Sequence, residues 1–217
     1  MHRLKRWLSG RRPSTAPDEN RWVMLDVETS GLNVKRERLL AIAAIGMQVD
    51  WQCQTLHIEL ADSFEVVLQQ EPASSEQNIL LHGIGVQEQR AGLAPTQALQ
   101  ALRNFVGHSP LLAFHCGFDE AVIQRHMTLH HFAKLSNPWL DLDHLCAVTH
   151  ETVRARTLDD WLRHFNIECA ARHQAAADTL AECELLQRIW PRIATQCHQW
   201  QGVQRLAAQH RWLARAG

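Results

Sequence analysis

The amino-acid order predicts an α/β domain built on a mixed β-sheet. Three observations carry that expectation. Three apolar runs of strand length follow one another with short links in the first third of the chain. A further short apolar run lies between helical patterns in the middle, and apolar residues at helical spacing dominate from Pro95 onward.

The first strand runs through Val23, Met24, Leu25 and Val27 and is closed by the turn Thr29-Ser30-Gly31. Leu39 to Val49 is a second, almost wholly apolar strand. Thr55 to Leu60 and Phe64 to Leu68 form a third, bent or split around Ala61-Asp62-Ser63, and the short links make these three an antiparallel meander. Pro95 suits a first helical turn, Ala98, Leu99, Leu102, Phe105 and Val106 form its stripe, and Gly107 suits its stop. Leu111 to Phe114 is a short buried strand, and Phe118 to about His131 a second helix. Thr157 and Asp160 make a capping box with Asp in place of Glu, opening a helix through Leu158, Trp161, Leu162 and Phe165. From Gln174, the spacing of Ala177, Ala181, Leu185 and Ile189 marks another helix, broken or kinked near Pro191. Ile193 to Leu213 reads as a final amphipathic helix through Cys197, Trp200, Val203 and Leu206. No internal repeat or low-complexity tract interrupts this order.

The 217 residues suit one domain with a buried core, and a net charge of −1 gives no global basic excess for nucleic acid. Any such contact must come from a local patch. No stretch is apolar for long enough to span a bilayer. The six cysteines contain no Cys-x-x-Cys pair and follow no secretory leader, so they read as reduced thiols in a cytoplasmic protein. Residues 1–20, with Arg3, Lys5, Arg6, Arg11 and Arg12 followed by prolines, read as a basic, disordered arm. Leu4, Trp7 and Leu8 would share a face there, suited to a weak surface or nucleic-acid contact.

Three separated segments place acids where acids are awkward. Asp26 and Glu28 stand two apart on the first strand, so both project from one face of an apolar run. Without a cation that arrangement is costly, although an edge strand with one wet face would also accommodate it. Asp119 follows the strand Leu111 to Phe114 in His115-Cys116-Gly117-Phe118-Asp119; it suits either a helix N-terminal charge or a ligand at a strand end. His173 and Asp178 are five apart, about 140° around a helix, so they converge only if His173 lies on the preceding loop. Each segment has an ordinary explanation alone. Together, four carboxylates can hold two Mg²⁺ or Mn²⁺ ions, which suit phosphodiester hydrolysis, and a neutral His nearby can take a proton from water.

The order Asp26-x-Glu28-Thr-x-Gly-Leu, then His115-x-x-Phe-Asp119, then His173-x4-Asp178 resembles the DEDDh (DnaQ-like) family of 3′–5′ exonucleases. The proofreading subunit of bacterial DNA polymerase III, ribonuclease T and oligoribonuclease belong to it. The resemblance spans about Trp22 to Ile189, and His82-Gly83-Ile84 matches an element of the proofreading group. It implies a ribonuclease-H-like fold, a five-stranded mixed sheet flanked by helices. It also implies an exonuclease domain over residues 21–192, with residues 193–217 as an appended amphipathic helix.

Carried over, the resemblance makes Asp26, Glu28, Asp119 and Asp178 the ligands of two divalent ions, Mg²⁺ or Mn²⁺, and His173 the general base. Thr29, Leu32 and His82 become contacts to the terminal nucleotide. The implied partner is a single-stranded or frayed 3′ end, with DNA favoured over RNA, and the implied product is a 5′-mononucleotide. Proofreading and DNA repair are the roles this suggests. A polymerase or other protein on the last helix, and a second copy of the chain, are further partners. An RNA-trimming or short-oligonucleotide nuclease on the same site is the alternative, followed by a non-catalytic interaction module. Cys116-Gly117 departs from the family's usual Asn-Ala, removing an amide near the substrate strand. The tail also lacks a clear clamp-binding motif.

Overall fold

A strand that is apolar on both faces needs cover on both sides. In the computed structural model, which describes residues 18–213, β1 (Arg21–Thr29) accordingly lies at the centre of a five-stranded sheet. It pairs antiparallel with β2 (Leu39–Asp50), which pairs antiparallel with β3 (Thr55–Val67), the outer strand. On its other side β1 runs parallel to β4 (Leu111–Ala113), and β4 parallel to β5 (Trp139–Asp141). The mixed sheet and its flanking helices form a ribonuclease-H-like fold. The basic arm expected at residues 1–20 lies almost wholly outside the described residues.

Side-chain alternation along β1 sorts the molecule into two layers. Val23, Leu25 and Val27 point into a core shared with α3 (Pro95–Val106) and α4 (Gly117–Leu129), through Leu99, Leu102, Val122 and Ile123. Trp22 and Met24 point the other way, into a larger core with α5 (Leu142–Thr149), α6 (Leu158–Phe165), α7 (Ala175–Ala194) and α8 (Trp200–Ala208). Asp26 and Glu28 continue that second set of positions, so the alternation aims both acids at the α7 side. Trp22 is fully buried against Trp51, Trp190 and Trp200, with ring centroids 4.8–5.8 Å away. It is therefore no platform for a base.

Two short helices that the sequence did not announce, α1 (Glu76–His82) and α2 (Val86–Ala91), connect β3 to α3. The expected bend in β3 is a bulge: Ile45 pairs with Ser63 while Gly46 pairs with Glu59, leaving residues 60–62 out of register. Gly46 is required there, because a Cβ would fall 1.9 Å from the Asp62 carboxylate, which is held at 2.7 Å by Arg21.

The C-terminal helices break at a different place from the one expected. α7 runs through Pro191 to Ala194, the chain then leaves the helix, and α8 begins at Trp200. Pro191 lies within the last turn of a helix whose Ile189, Trp190, Ile193 and Ala194 are buried, and packing there outweighs one lost hydrogen bond. The boundary expected at residue 192 thus falls inside α7. The buried Trp200, Val203, Leu206 and Ala207 of α8 belong to the same core as α5 and α7. Trp212, beyond α8, is 77% exposed.

Candidate active site

The acids meet at the carboxyl ends of β1 and β4, neighbouring parallel strands, where α/β sheets open a crevice. Asp26 and Glu28 come from the last turn of β1's pleat; their β2 partners are the small Ala43 and Ala41, which leave room around them. Asp119 sits in the first turn of α4, directly after β4, and is 4% exposed. Asp178 comes from the first turn of α7 and is also buried. Oxygens of Asp26, Glu28 and Asp178 all lie within 4.8 Å of one another. They line a cavity of about 390 Å³ together with Asp119, His173, Leu32, His115, Phe118 and Arg172.

His173 and Asp178 converge as five-residue spacing requires. His173 stands on the loop before α7 at φ 62°, and its backbone N–H donates to Asp178 Oδ2 at 2.8 Å. The His173 side chain is exposed at the cavity wall. Arg172, one residue earlier, reaches the Asp178 carboxylate and pairs with Asp159 at 2.5 Å. It is the cation that the bare cluster uses.

One guanidinium does not neutralise this many acids. Burial pushes the Asp26 carboxyl up to about 7, against the Val27 backbone and Arg172, which favour its charged form. Burial, and then the charge on Asp26, push Glu28 up to about 8. Asp119 is held well above the ordinary carboxylate range by burial and then by Asp26. An all-oxygen donor set this starved of positive charge fits hard divalent cations such as Mg²⁺ or Mn²⁺.

The three expected nucleotide contacts occupy different settings. Leu32 lines the cavity and is 89% exposed, an apolar side chain free to meet a planar base. Thr29 turns its hydroxyl to the Gly31 carbonyl at 2.7 Å, and its own carbonyl accepts from Asn78 of α1. His82 is buried at the end of α1; its Nδ1 accepts from the Ile84 N–H at 3.0 Å, and burial lowers its pKa. It lines a smaller neighbouring cavity that shares Glu28 with the main one. The Cys116-Gly117 departure lies outside the main cavity's lining, and burial pushes the Cys116 thiol up to about 12. Asp141 and Asp143 are engaged structurally: Asp141 caps α5, and Asp143 accepts from Trp161 Nε1 and pairs with His115.

Two residues of the cavity were not singled out in the sequence, Arg172 and Glu182. Glu182 follows Asp178 by one helical turn on α7, is 2% exposed, and faces the cavity. Its spacing was the available signal, since an acid four residues after Asp178 shares its face.

A family model described as "Exonuclease" matches residues 23–186. Among curated proteins, the PolC-type DNA polymerase III of Oceanobacillus iheyensis is 25% identical over 175 residues, covering 81% of this chain and 12% of the polymerase. That of Bacillus subtilis is 24% identical over 173 residues, covering 79% and 12%. The chain therefore spans about an eighth of the length of these relatives. Among solved structures, one of exonuclease I superposes with TM-score 0.67 at 16% identity, covering 82% of this chain and 44% of that one. A zinc-bound complex of E. coli exonuclease I with single-stranded DNA gives 0.65 at 18% identity, covering 82% and 43%.

Proposed function

Since the chain belongs to the exonuclease family, in its DEDDh (DnaQ-like) branch, we propose that it removes 5′-mononucleotides from nucleic-acid 3′ ends by a two-metal mechanism. One observation carries this reading: Asp26 and Glu28 from a strand and Asp178 from a distant helix bring their oxygens within 4.8 Å, in one cavity with Asp119 and His173.

The family is divalent-metal dependent, and here Asp26, Glu28, Asp119 and Asp178 would hold the ions. Two Mg²⁺ or Mn²⁺ ions held there supply Lewis acidity, lowering the pKa of a water and offsetting charge on the leaving 3′ oxygen. The remaining work belongs to the chain. His173, exposed and anchored through its backbone to Asp178, takes the proton from the attacking water. Leu32 packs on the terminal base, and the Thr29 turn, braced by Asn78, supports the sugar. His82 stands behind Glu28 in the adjoining cavity and holds that wall.

DNA is the favoured substrate. The curated relatives are DNA polymerases, and the exonuclease I neighbours include complexes with single-stranded DNA. Proofreading or DNA repair in the cytoplasm, beside a polymerase, is the role this suggests. Among the described residues no helix is long and apolar enough to cross a membrane.

With Mn²⁺ or Mg²⁺, 5′-labelled single-stranded DNA should shorten from its 3′ end as a ladder, and Asp26→Ala or Asp178→Ala should abolish this. Digestion that persists in chelator would sink the two-metal reading. His173→Ala should slow the chemical step by about 10²–10⁴-fold; an unchanged rate removes it from the role of base. The same assay on RNA and dinucleotides separates the DNA reading from a short-oligonucleotide or RNA-trimming one.

A further inference from the structure

Glu182 is a buried acid that the four-ligand description does not use. It lies one turn beyond Asp178 on α7, is 2% exposed, and lines the same cavity as Asp26 and Asp119. Its Oε2 has no hydrogen-bond partner among the described residues. An acid there without a task is expensive, because a buried carboxylate lacking a counter-charge costs several kcal/mol, roughly, relative to an apolar residue. Burial opposes its charged form most, followed by the charges on Asp26 and Asp119, whereas the Phe114 backbone and Arg172 favour it.

Arg172 offsets this only in part. Its guanidinium is committed to Asp159 and Asp178. Counting Glu182, five carboxylates line the cavity, and the one guanidinium beside them is shared with Asp159 outside it. The free, buried oxygen of Glu182 belongs to the lining of the cavity that the other four carboxylates share.

We propose that Glu182 is a fifth oxygen ligand of the metal centre. The inference rests on the two-metal reading above and extends it. Mg²⁺ and Mn²⁺ favour six oxygens, and a carboxylate from the protein replaces one water in that shell.

The test is calorimetric titration of Mn²⁺ into the metal-depleted full chain, with thermal melting measured with and without Mn²⁺. The parent should bind two ions. Glu182→Gln keeps the shape, should melt no lower than the parent without metal because a neutral amide replaces a buried acid, and should bind one of the two ions at least tenfold more weakly. Glu182→Asp keeps the charge but withdraws the oxygen by a methylene, so it should also lose affinity, and it serves if the Gln variant does not fold. Parent-like affinities for both ions in these variants overturn the role of Glu182 and leave the two-metal reading intact. A parent that takes up fewer than two ions instead counts against the two-metal reading itself.

Discussion

At Asp26 and Glu28, the same two side chains serve opposite ends depending on what neutralises them. In the metal-free protein their pKa values lie at about 7 and about 8, raised from 3.8 and 4.5 chiefly by burial. Between the ordinary acid range and pH 8, the folded chain therefore keeps protons that the unfolded chain has released. Linkage then requires stability to fall as pH rises through that window, levelling above about pH 8. Melting in chelator should accordingly drop between pH 5 and 8.5, and saturating Mn²⁺ should remove or invert the slope. A flat metal-free profile would contradict the burial of these acids. The residue scale is also where the sequence was most legible. Asp26, Glu28, Asp119, His173 and Asp178 each have an ordinary explanation alone, and it was their combined order, the one a known family uses, that singled them out without coordinates. Glu182 could not be read in that way, since an acid on a helix is ordinary until tertiary packing buries it. Arg172 was equally hidden, being one arginine among many until its partners were in view.

Among the elements, most with a clear apolar pattern were legible, including the three-residue β4, whereas several short ones were not. The capping box of α6 forms as its residues imply: Thr157 Oγ1 accepts from the Asp160 N–H, and the Asp160 carboxylate accepts from the Thr157 N–H. Thr157 and Leu158 also line the cavity, so this cap anchors one wall of the site. Thr157→Ala should cost about 1 kcal/mol, a fall of roughly 2–4 °C in Tm for a chain of this size, and should raise KM more than it lowers kcat. A parent-like melting temperature would mean that the cap contributes nothing. By contrast α1, α2 and β5, of 7, 6 and 3 residues, are too short to establish a period. Their form is imposed from outside: α1 by its Ser75 cap and the left-handed Gly83, and β5 by the parallel ladder with β4. The break between α7 and α8 was misplaced for a related reason. Proline has a strong local effect, but the burial of Trp190 and Ile193 on either side of Pro191 holds the helix through it.

Over the whole molecule, one alternation along β1 sets two cores and one site. The even-numbered side chains begin with Trp22, continue through Met24, and end in Asp26 and Glu28, so the apolar anchor and the acids belong to a single pleated face. Trp22 is fully buried and its Nε1 donates to the Glu19 carbonyl, tying the start of β1 to the aromatic cluster with Trp51, Trp190 and Trp200. Trp22→Ala should cost about 3–5 kcal/mol, a large part of the roughly 5–15 kcal/mol of a typical domain. Denaturant unfolding would measure it, and a loss under about 1 kcal/mol would show that the cluster is not a keystone. The fold class could be anticipated because sheet-first patterning and helical stripes are properties of local sequence. That α8 shares the core of α5 and α7 could not, because an amphipathic stripe states that a helix is covered without stating by what.

The bulge in β3 has a consequence for molecules in one another's company. An outer strand of 13 residues would ordinarily present a long row of unpaired amides and carbonyls, a template on which another copy could nucleate a growing ribbon. Residues 60–62 interrupt that row, and the Arg21–Asp62 pair holds the interruption in place over Gly46. The glycine that admits Asp62 is thus a guard against aggregation as much as a feature of the fold.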